Sequence, residues 1–493
     1  MLAKSLVSLA TYLACANALI PLTIKGNRFI KPATKASDDG EVFFLKGVDY
    51  QPGGSSAYTG DDADGDVLSD ANACYRDAYV LQQAGVNIIR TYTVNPDVDH
   101  DDCMSILNDA GIYVLLDVNS ALDGQSLNRD SPSSSYNAEY LTRVFKVIEA
   151  FKGYPNLLGF FSGNEIINSE SSAKLSPPYI RAVQRDMKQY IAAHANRTIP
   201  VGYSAADVST LLKVSFNYLS CDNDDDSHAD FFGLNSYEWC SGSTYSTSGY
   251  STLNSTFSNA SVPVFFSEYG CNTVTPRTFE EISEGIFGGL LNTFSGGLVY
   301  EYAEEANEYG LVVISDSNDT LSYKTDYDNF KSELGKVNSS LSIAESSVVN
   351  RSLASCSSSL IQSEDSSFNL TFTLPSQPSD ITKLIKNGVS GASEGAIVNI
   401  DAKSSNYTIL DSAGDEVDNA IVSFSGENEV NSQDGTTPSV ASPSTSAVSS
   451  SSSTTKAASA ANTSTSKGEA GVYNAGQIGP VAGLMALMVS ALL

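Results

Sequence analysis

"LLGFFSGNE" (157–165) is an apolar run that passes through small residues and then delivers an amide, Asn164, beside a carboxylate, Glu165. A carboxylate against an apolar wall is costly unless it is paired or put to use. The local alternative is a helix start, with Asn164 as N-cap and Glu165 in the first turn. The rest of the chain decides between them. "VFFLKGVDY" (42–50), "VNIIRTYTV" (86–94), "IYVLLDVNS" (112–120), "IPVGYS" (199–204), "FFGLNSY" (231–237), "VPVFFSEYG" (262–270) and "GGLVYEY" (296–302) share its texture, which makes eight strand candidates. Intervening stretches such as 70–84 and 137–152 carry apolar residues at helical spacing. Apolar strands alternating with helices indicate parallel β/α units covered on both faces. Eight such units within residues 19–340 predict a (β/α)₈ TIM barrel.

The ends of the chain are of another kind. Residues 1–18 combine Lys4, an apolar stretch and Ala16-Asn17-Ala18, an A-x-A cleavage pattern, and are expected to be a secretion signal. Residues 341–430 hold "FNLTFTL", "AIVNI" and "NAIVSF" and predict a small β-rich appendage. Residues 431–467 are dominated by Ser, Thr, Ala and Pro, a composition that cannot bury a core, and are expected to form a flexible stalk. Residues 468–493 end in "NAGQIGP" and "VAGLMALMVSALL". Small residues, a spacer and a terminal apolar tail fit a GPI-attachment signal, with Asn474 the preferred site and Gly471 or Gly468 as alternatives. Membrane contact is thus expected through the lipid anchor alone, on the extracellular face of the plasma membrane or in the cell wall.

Secretion implies an oxidising compartment. Six cysteines follow the signal (Cys74, Cys103, Cys221, Cys240, Cys271 and Cys356), and their spacing alone allows fifteen connectivities. Nine N-x-S/T sequons agree with that compartment. Three histidines and no C-x-x-C give no reason to expect a metal or cofactor. With 57 acidic against 28 basic residues the net charge is −29, which repels nucleic acid and anionic lipid and leaves a neutral substrate as the simplest match.

Catalytic groups of a (β/α)₈ barrel sit at the C-terminal ends of its strands. Glu165 ends the fourth candidate strand and Glu268 the seventh, 103 residues on. These strands face each other across the mouth. Two carboxylates at one site are the machinery of glycoside cleavage. One, kept protonated by an apolar setting, gives its proton to the leaving oxygen; the other attacks the anomeric carbon. Glu165 is assigned as acid/base, Glu268 as nucleophile, and Asn164 is placed to bond a sugar 2-hydroxyl. Tyr92, Tyr237, Tyr300 and Tyr309 lie at or just after strand ends, each offering a flat apolar face and a hydroxyl to a pyranose.

"GVDYQPGG" (47–54), "LNRD" (127–130), "GNE" (163–165), "VGYS" (201–204), "YEWC" (237–240), "SEYGCN" (267–272) and "SGGLVYEY…EANEYGLV" (295–313) resemble, in order, the motifs of the fungal β-1,3-glucanosyltransferases of glycoside hydrolase family 72. The resemblance covers about residues 20–340. It implies a retaining enzyme that cuts β-1,3-glucan internally and transfers the new reducing end to another glucan chain. Donor and acceptor glucans would then be its partners, and it would work as a monomer. It carries acid/base onto Glu165, nucleophile onto Glu268, and sugar binding onto Tyr92, Asn164, Tyr237 and Tyr300, with Gln51 and Tyr309 beside them. It also marks 119–127, including Ser126, as a substrate-lining loop. It implies the pairs Cys74–Cys103, Cys221–Cys356 and Cys240–Cys271, and a member without the cysteine-rich carbohydrate-binding module. Ala206 and Leu211 depart from the Asn and sugar-contacting Arg common in the family, and Phe294, Glu301 and Ala303 from Trp, Met and Phe. The competing readings are a plain β-1,3-glucan hydrolase, in which water resolves the same ester, and a glucan-binding wall protein with little or no turnover.

Overall fold

The computed structural model describes residues 19–223, 226–337, 341–401 and 403–432. The expected secretion signal, nearly all of the stalk, Asn474 and the terminal tail lie outside the described residues.

Eight strands close into a barrel: β1 (Leu45–Asp49), β2 (Ile88–Thr91), β3 (Tyr113–Asp117), β4 (Leu157–Asn164), β5 (Val201–Ala206), β6 (Phe232–Asn235), β7 (Val264–Tyr269) and β8 (Gly296–Val299). All eight neighbouring pairs are parallel. Each strand lies within, or within two residues of, its expected stretch. Local chemistry sets the helices between them. Asp70 accepts from the amides of Asn72 and Ala73 to open helix Ala71–Ala84, and Gly85, at φ 83°, closes it in the left-handed conformation a glycine adopts without strain. Asn137 caps helix Ala138–Phe151 in the same way.

The residues before the barrel plug the end where its strands begin. Thr23–Lys25, Arg28–Lys31 and Glu41–Phe43 form a three-stranded antiparallel sheet. Phe29 inserts from it, its ring 5.9 Å from that of Phe231 and 5.8 Å from that of Phe265. Leu19, Leu22 and Phe43 join the inward-facing Leu45, Ile88, Leu115 and Leu158 in one buried cluster. Each such side chain contributes about 1.5–3 kcal/mol by leaving water. This apolar floor leaves the opposite end of the barrel for polar groups.

The β-rich appendage expected at 341–430 is not there. None of "FNLTFTL", "AIVNI" and "NAIVSF" forms a strand. The described part of this region contains a 3₁₀ turn (Glu345–Ser347), two short helices (Ser358–Gln362 and Ile381–Asn387) and one strand, Thr408–Leu410, which adds in parallel to Thr320–Tyr323. The rest is a strap across the outer helices. Its apolar residues Phe368, Ile381 and Val422 are buried in the main core cluster rather than against one another. Its backbone bonds go to the barrel as well: Asn369 N–H to the Ala173 carbonyl, Ser393 N–H to Pro96, Gly395 N–H to Ala150. Barrel and strap form one compact unit.

Among the described residues three disulfides pair Cys74 with Cys103, Cys221 with Cys356 and Cys240 with Cys271. These are the pairs the resemblance implies. The second staples the strap to the segment after helix Leu212–Ser220, and the third joins the loops that follow β6 and β7. Among the described residues no helix is long and apolar enough to cross a membrane.

Candidate active site

The mouth of the barrel is organised around Arg90, a fully buried cation on β2. Its Nε and Nη2 donate to the two oxygens of Asp117 at 2.8 and 3.2 Å. Nη2 also donates to Asn164 Oδ1 at 3.1 Å, and Nη1 to Glu268 Oε1 at 3.2 Å and to the Ser267 carbonyl at 3.3 Å. A planar fork of this kind fixes several acceptors at once.

Glu268, 4 % exposed, is the most heavily bonded carboxylate of the site. The Tyr92 hydroxyl donates to its Oε1 at 2.9 Å and the Tyr237 hydroxyl to its Oε2 at 2.7 Å. Burial pushes its carboxyl up to about 7; Arg90 opposes this, the nearby Glu165 adds to it, and the two tyrosine bonds oppose it. The apolar setting that the sequence suggests for Glu165 thus belongs to Glu268. The backbone explains why: Glu268 lies inside β7, whereas Glu165 lies one residue beyond β4, at φ 49°, and is half-buried at the opening. Left-handed backbone costs a non-glycine residue about 1 kcal/mol or more. Glu165 is held there by its N–H bond to the Ser204 carbonyl at 2.9 Å.

Neither Asn164 nor Glu165 caps a helix. The next helix, Glu170–Leu175, is capped by Ser169. Instead Asn235 on β6 joins the pair, its Nδ2 donating to Asn164 Oδ1 at 3.1 Å and to Glu165 Oε1 at 2.9 Å. Asn235 Oδ1 in turn accepts from Ser204 and Ser267 at 3.0 and 2.7 Å. Because Asn164 Oδ1 already accepts from both Arg90 and Asn235, its amide is oriented with Nδ2 left to donate elsewhere.

Four tyrosines gather over Glu268. The Tyr300 ring lies 6.4 Å from that of Tyr92, 6.3 Å from that of Tyr237 and 5.3 Å from that of Tyr309, and Tyr237 lies 5.5 Å from Tyr309, all edge to face. Gln51 is built into the wall: its Oε1 accepts from the backbone N–H groups of Tyr92 and Thr93 at 3.1 and 3.0 Å. Its direct partner is therefore the segment carrying Tyr92. Ser126 is exposed in the 119–127 loop and takes no part in the hydrogen bonds around the two glutamates. Among the described residues no group of His, Cys, Asp or Glu has the arrangement of a metal site.

A glucanosyltransferase family model, that of glycoside hydrolase family 72, matches residues 11–338. The chain belongs to this family. It is 54 % identical over 452 residues to the probable 1,3-beta-glucanosyltransferase GAS3 of Saccharomyces cerevisiae, covering 88 % of this chain and 86 % of that one. It is 47 % identical over 418 residues to the 1,3-beta-glucanosyltransferase gel2 of Aspergillus fumigatus, covering 84 % and 85 %. Among solved structures, a mutant of Saccharomyces cerevisiae Gas2p in complex with laminaritetraose and laminaripentaose is similar at TM-score 0.62 and 36 % identity, covering 73 % of this chain and 75 % of that one.

In this family 72 member the departures from the usual pattern have visible consequences. Leu211 is buried in the core at the start of helix Leu212–Ser220. Phe294 stacks on Phe266 with ring centroids 4.8 Å apart. Glu301 brings a further buried carboxyl to the mouth, accepting from Asn307 Nδ2 at 2.8 Å, and burial pushes it up to about 7. Arg90, Asp117 and Asn235 lie outside the quoted motifs, and Asp49 lies within "GVDYQPGG" with no role assigned to it there. Their signal is nonetheless in the sequence: each is a polar residue near the C-terminal end of a barrel strand.

Proposed function

We propose that this chain is a retaining β-1,3-glucanosyltransferase of the fungal cell wall, with Glu165 as acid/base and Glu268 as nucleophile. The observation that carries this reading is the unequal setting of the two carboxylates. Glu268 is buried and held by Arg90, Tyr92 and Tyr237, a nucleophile's fixed geometry. Glu165 is half-exposed at the opening, where a leaving or incoming sugar oxygen would exchange a proton. In the first step Glu165 gives its proton to the glycosidic oxygen as Glu268 attacks the anomeric carbon. The C–O bond to the leaving chain breaks and an ester to Glu268 forms. In the second, Glu165 takes the proton of an acceptor hydroxyl, whose oxygen displaces Glu268. Asn164 Nδ2 is oriented to donate to the sugar's 2-hydroxyl, a bond that strengthens in the transition state. Tyr92, Tyr237, Tyr300 and Tyr309 would line the sugar path, with Ser126 on the outer loop. The protein would act as a monomer, GPI-anchored through Asn474 at the extracellular face of the plasma membrane.

The test is incubation of the purified protein with β-1,3-gluco-oligosaccharides labelled at the reducing end, with Glu268→Ala as blank. Products longer than the starting chain, absent from the blank, are expected. Shorter products alone would make the enzyme a hydrolase, and binding without turnover would make it a glucan-binding protein.

A further inference from the structure

Asp49 closes β1 and is the register partner of Arg90 on β2. It is wholly buried, and neither of its carboxyl oxygens has a hydrogen-bond partner. The reason lies next door. A guanidinium has five N–H bonds, and those of Arg90 are all taken, two by Asp117 and one each by Asn164, Glu268 and the Ser267 carbonyl. The charged groups facing Asp49 are Arg90 from β2, Asp117 from β3, Glu268 from β7 and Glu301 just after β8. The phenols of Tyr92, Tyr237, Tyr269 and Tyr300 complete its surroundings. Arg90 therefore bonds the carboxyls of Asp117 and Glu268 and has no N–H left for Asp49. A desolvated carboxylate without partners is strongly disfavoured. Burial, together with the neighbouring acids, pushes the Asp49 carboxyl well above the usual carboxylate range.

We propose that Asp49 is a positioning residue for the transfer reaction: as a neutral acid it leaves the whole Arg90 fork to Asp117, Asn164 and Glu268, and when it loses its proton to solvent it draws Arg90 away and disables Glu268. It rests on the assignment of Glu268 as nucleophile. No other residue type fits the role as well, because the group must be small, buried and neutral while glucan is cleaved, yet able to compete for the guanidinium once ionised. Glu301 enters as a modulator. Its charge, when present, opposes ionisation of Asp49 and so protects the working state.

The experiment uses a β-1,3-oligoglucosyl fluoride as donor. Fluoride leaves without needing a proton, so Glu165 drops out of bond breaking and the pH profile of kcat/KM reports on Glu268 and the groups that act on it. The wild-type profile is expected to fall on the alkaline side. Asp49→Asn, which cannot ionise, should keep the plateau within about threefold and carry the alkaline fall upward by on the order of one pH unit. Glu301→Gln should move the same fall downward, because Asp49 then ionises more easily. An alkaline limb unmoved in both variants overturns the proposal. So does a pH-independent loss beyond about tenfold in Asp49→Asn, which would mean the carboxylate itself is needed. Should Asp49→Asn not fold, the direction of the Glu301→Gln shift decides. Glu268→Ala separates the two levels: if it still consumes the fluoride at the wild-type rate, the nucleophile assignment fails first.

Discussion

Asn235 and Glu165 are joined by a 2.9 Å hydrogen bond from Nδ2 to Oε1, and the same nitrogen holds Asn164 Oδ1 at 3.1 Å. One amide on β6 thereby fixes both polar residues that follow the apolar run of β4, while Ser204 and Ser267 fix the amide itself. Asn235→Ala should lower kcat by about tenfold or more, the loss of roughly 1–3 kcal/mol of hydrogen bonding, with a smaller effect on KM. Steady-state kinetics on laminari-oligosaccharides check this. An unchanged kcat would remove Asn235 from the machinery.

Arg90→Lys should be nearly as damaging as Arg90→Met. An ammonium retains the charge but not the five-armed fork that reaches Asp117, Asn164 and Glu268 together. In the methionine variant Asp117 is also left buried without its cation, a destabilisation of about 3–5 kcal/mol. Thermal melting should separate the two, with the lysine protein melting higher while both lose transfer activity.

Removing the tyrosine hydroxyls has a predictable sign. Tyr92 and Tyr237 donate to Glu268, and each bond favours its carboxylate over its acid form. Without one of them Glu268 holds its proton to higher pH. The acid limb of kcat/KM in Tyr237→Phe, and again in Tyr92→Phe, should therefore move upward by on the order of one unit or less per hydroxyl. A downward shift in either variant would contradict the assigned geometry.

Stability should fall as the solution is made more alkaline across the near-neutral range. Glu281, 5 % exposed, opens the helical segment Glu281–Gly289 after β7, and burial pushes its carboxyl from 4.5 up to about 8. The folded chain thus keeps a proton that the unfolded chain releases. That contribution is complete below about pH 4.5 and is lost progressively up to about pH 8. Glu268 and Glu301, raised to about 7, act in the same direction. Glu281→Gln should flatten the decline of Tm with pH over this window, measured by calorimetry from pH 4.5 to 8.

The strap should matter to folding rather than to turnover. Cys221 and Cys356 are separated by 135 residues, a closure for which chain entropy allows roughly 4–5 kcal/mol at most. Cys356→Ser should lower Tm by several degrees and leave kcat at 25 °C unchanged, because neither cysteine bonds to a residue around Glu268.

The barrel was legible because its strands are buried on both sides and so appear as apolar runs, and with it the position of Glu165 and Glu268 at the C-terminal ends of β4 and β7. The hydrogen bonding between strands was not legible. Arg90 reaches Asn164 and Glu268 only through the staggered closure of β2, β4 and β7, and a single chain carries no direct record of that stagger. The deeper burial of Glu268 was hidden for a related reason: a one-residue overshoot past β4, taken at positive φ, turns Glu165 outward. The strap deceived by periodicity. Phe368, Leu370 and Phe372 alternate like a strand but pack on helices of the barrel, and an extended segment held by scattered bonds has the same alternation as a paired one.

The strap finishes at a telling place. Asn431 bonds through its backbone to the Gly111 carbonyl and through Nδ2 to that of Val86, and Asn428 bonds to Ile20 and Pro32. Gly111 and Val86 lie just before β3 and β2, on the floor side of the barrel. The last described residues of the strap, up to 432, thus lie on the face opposite Glu165 and Glu268. A long polymer can approach Glu165 and Glu268 without meeting residues 428–432, so fastening the strap and admitting substrate do not compete for the same space.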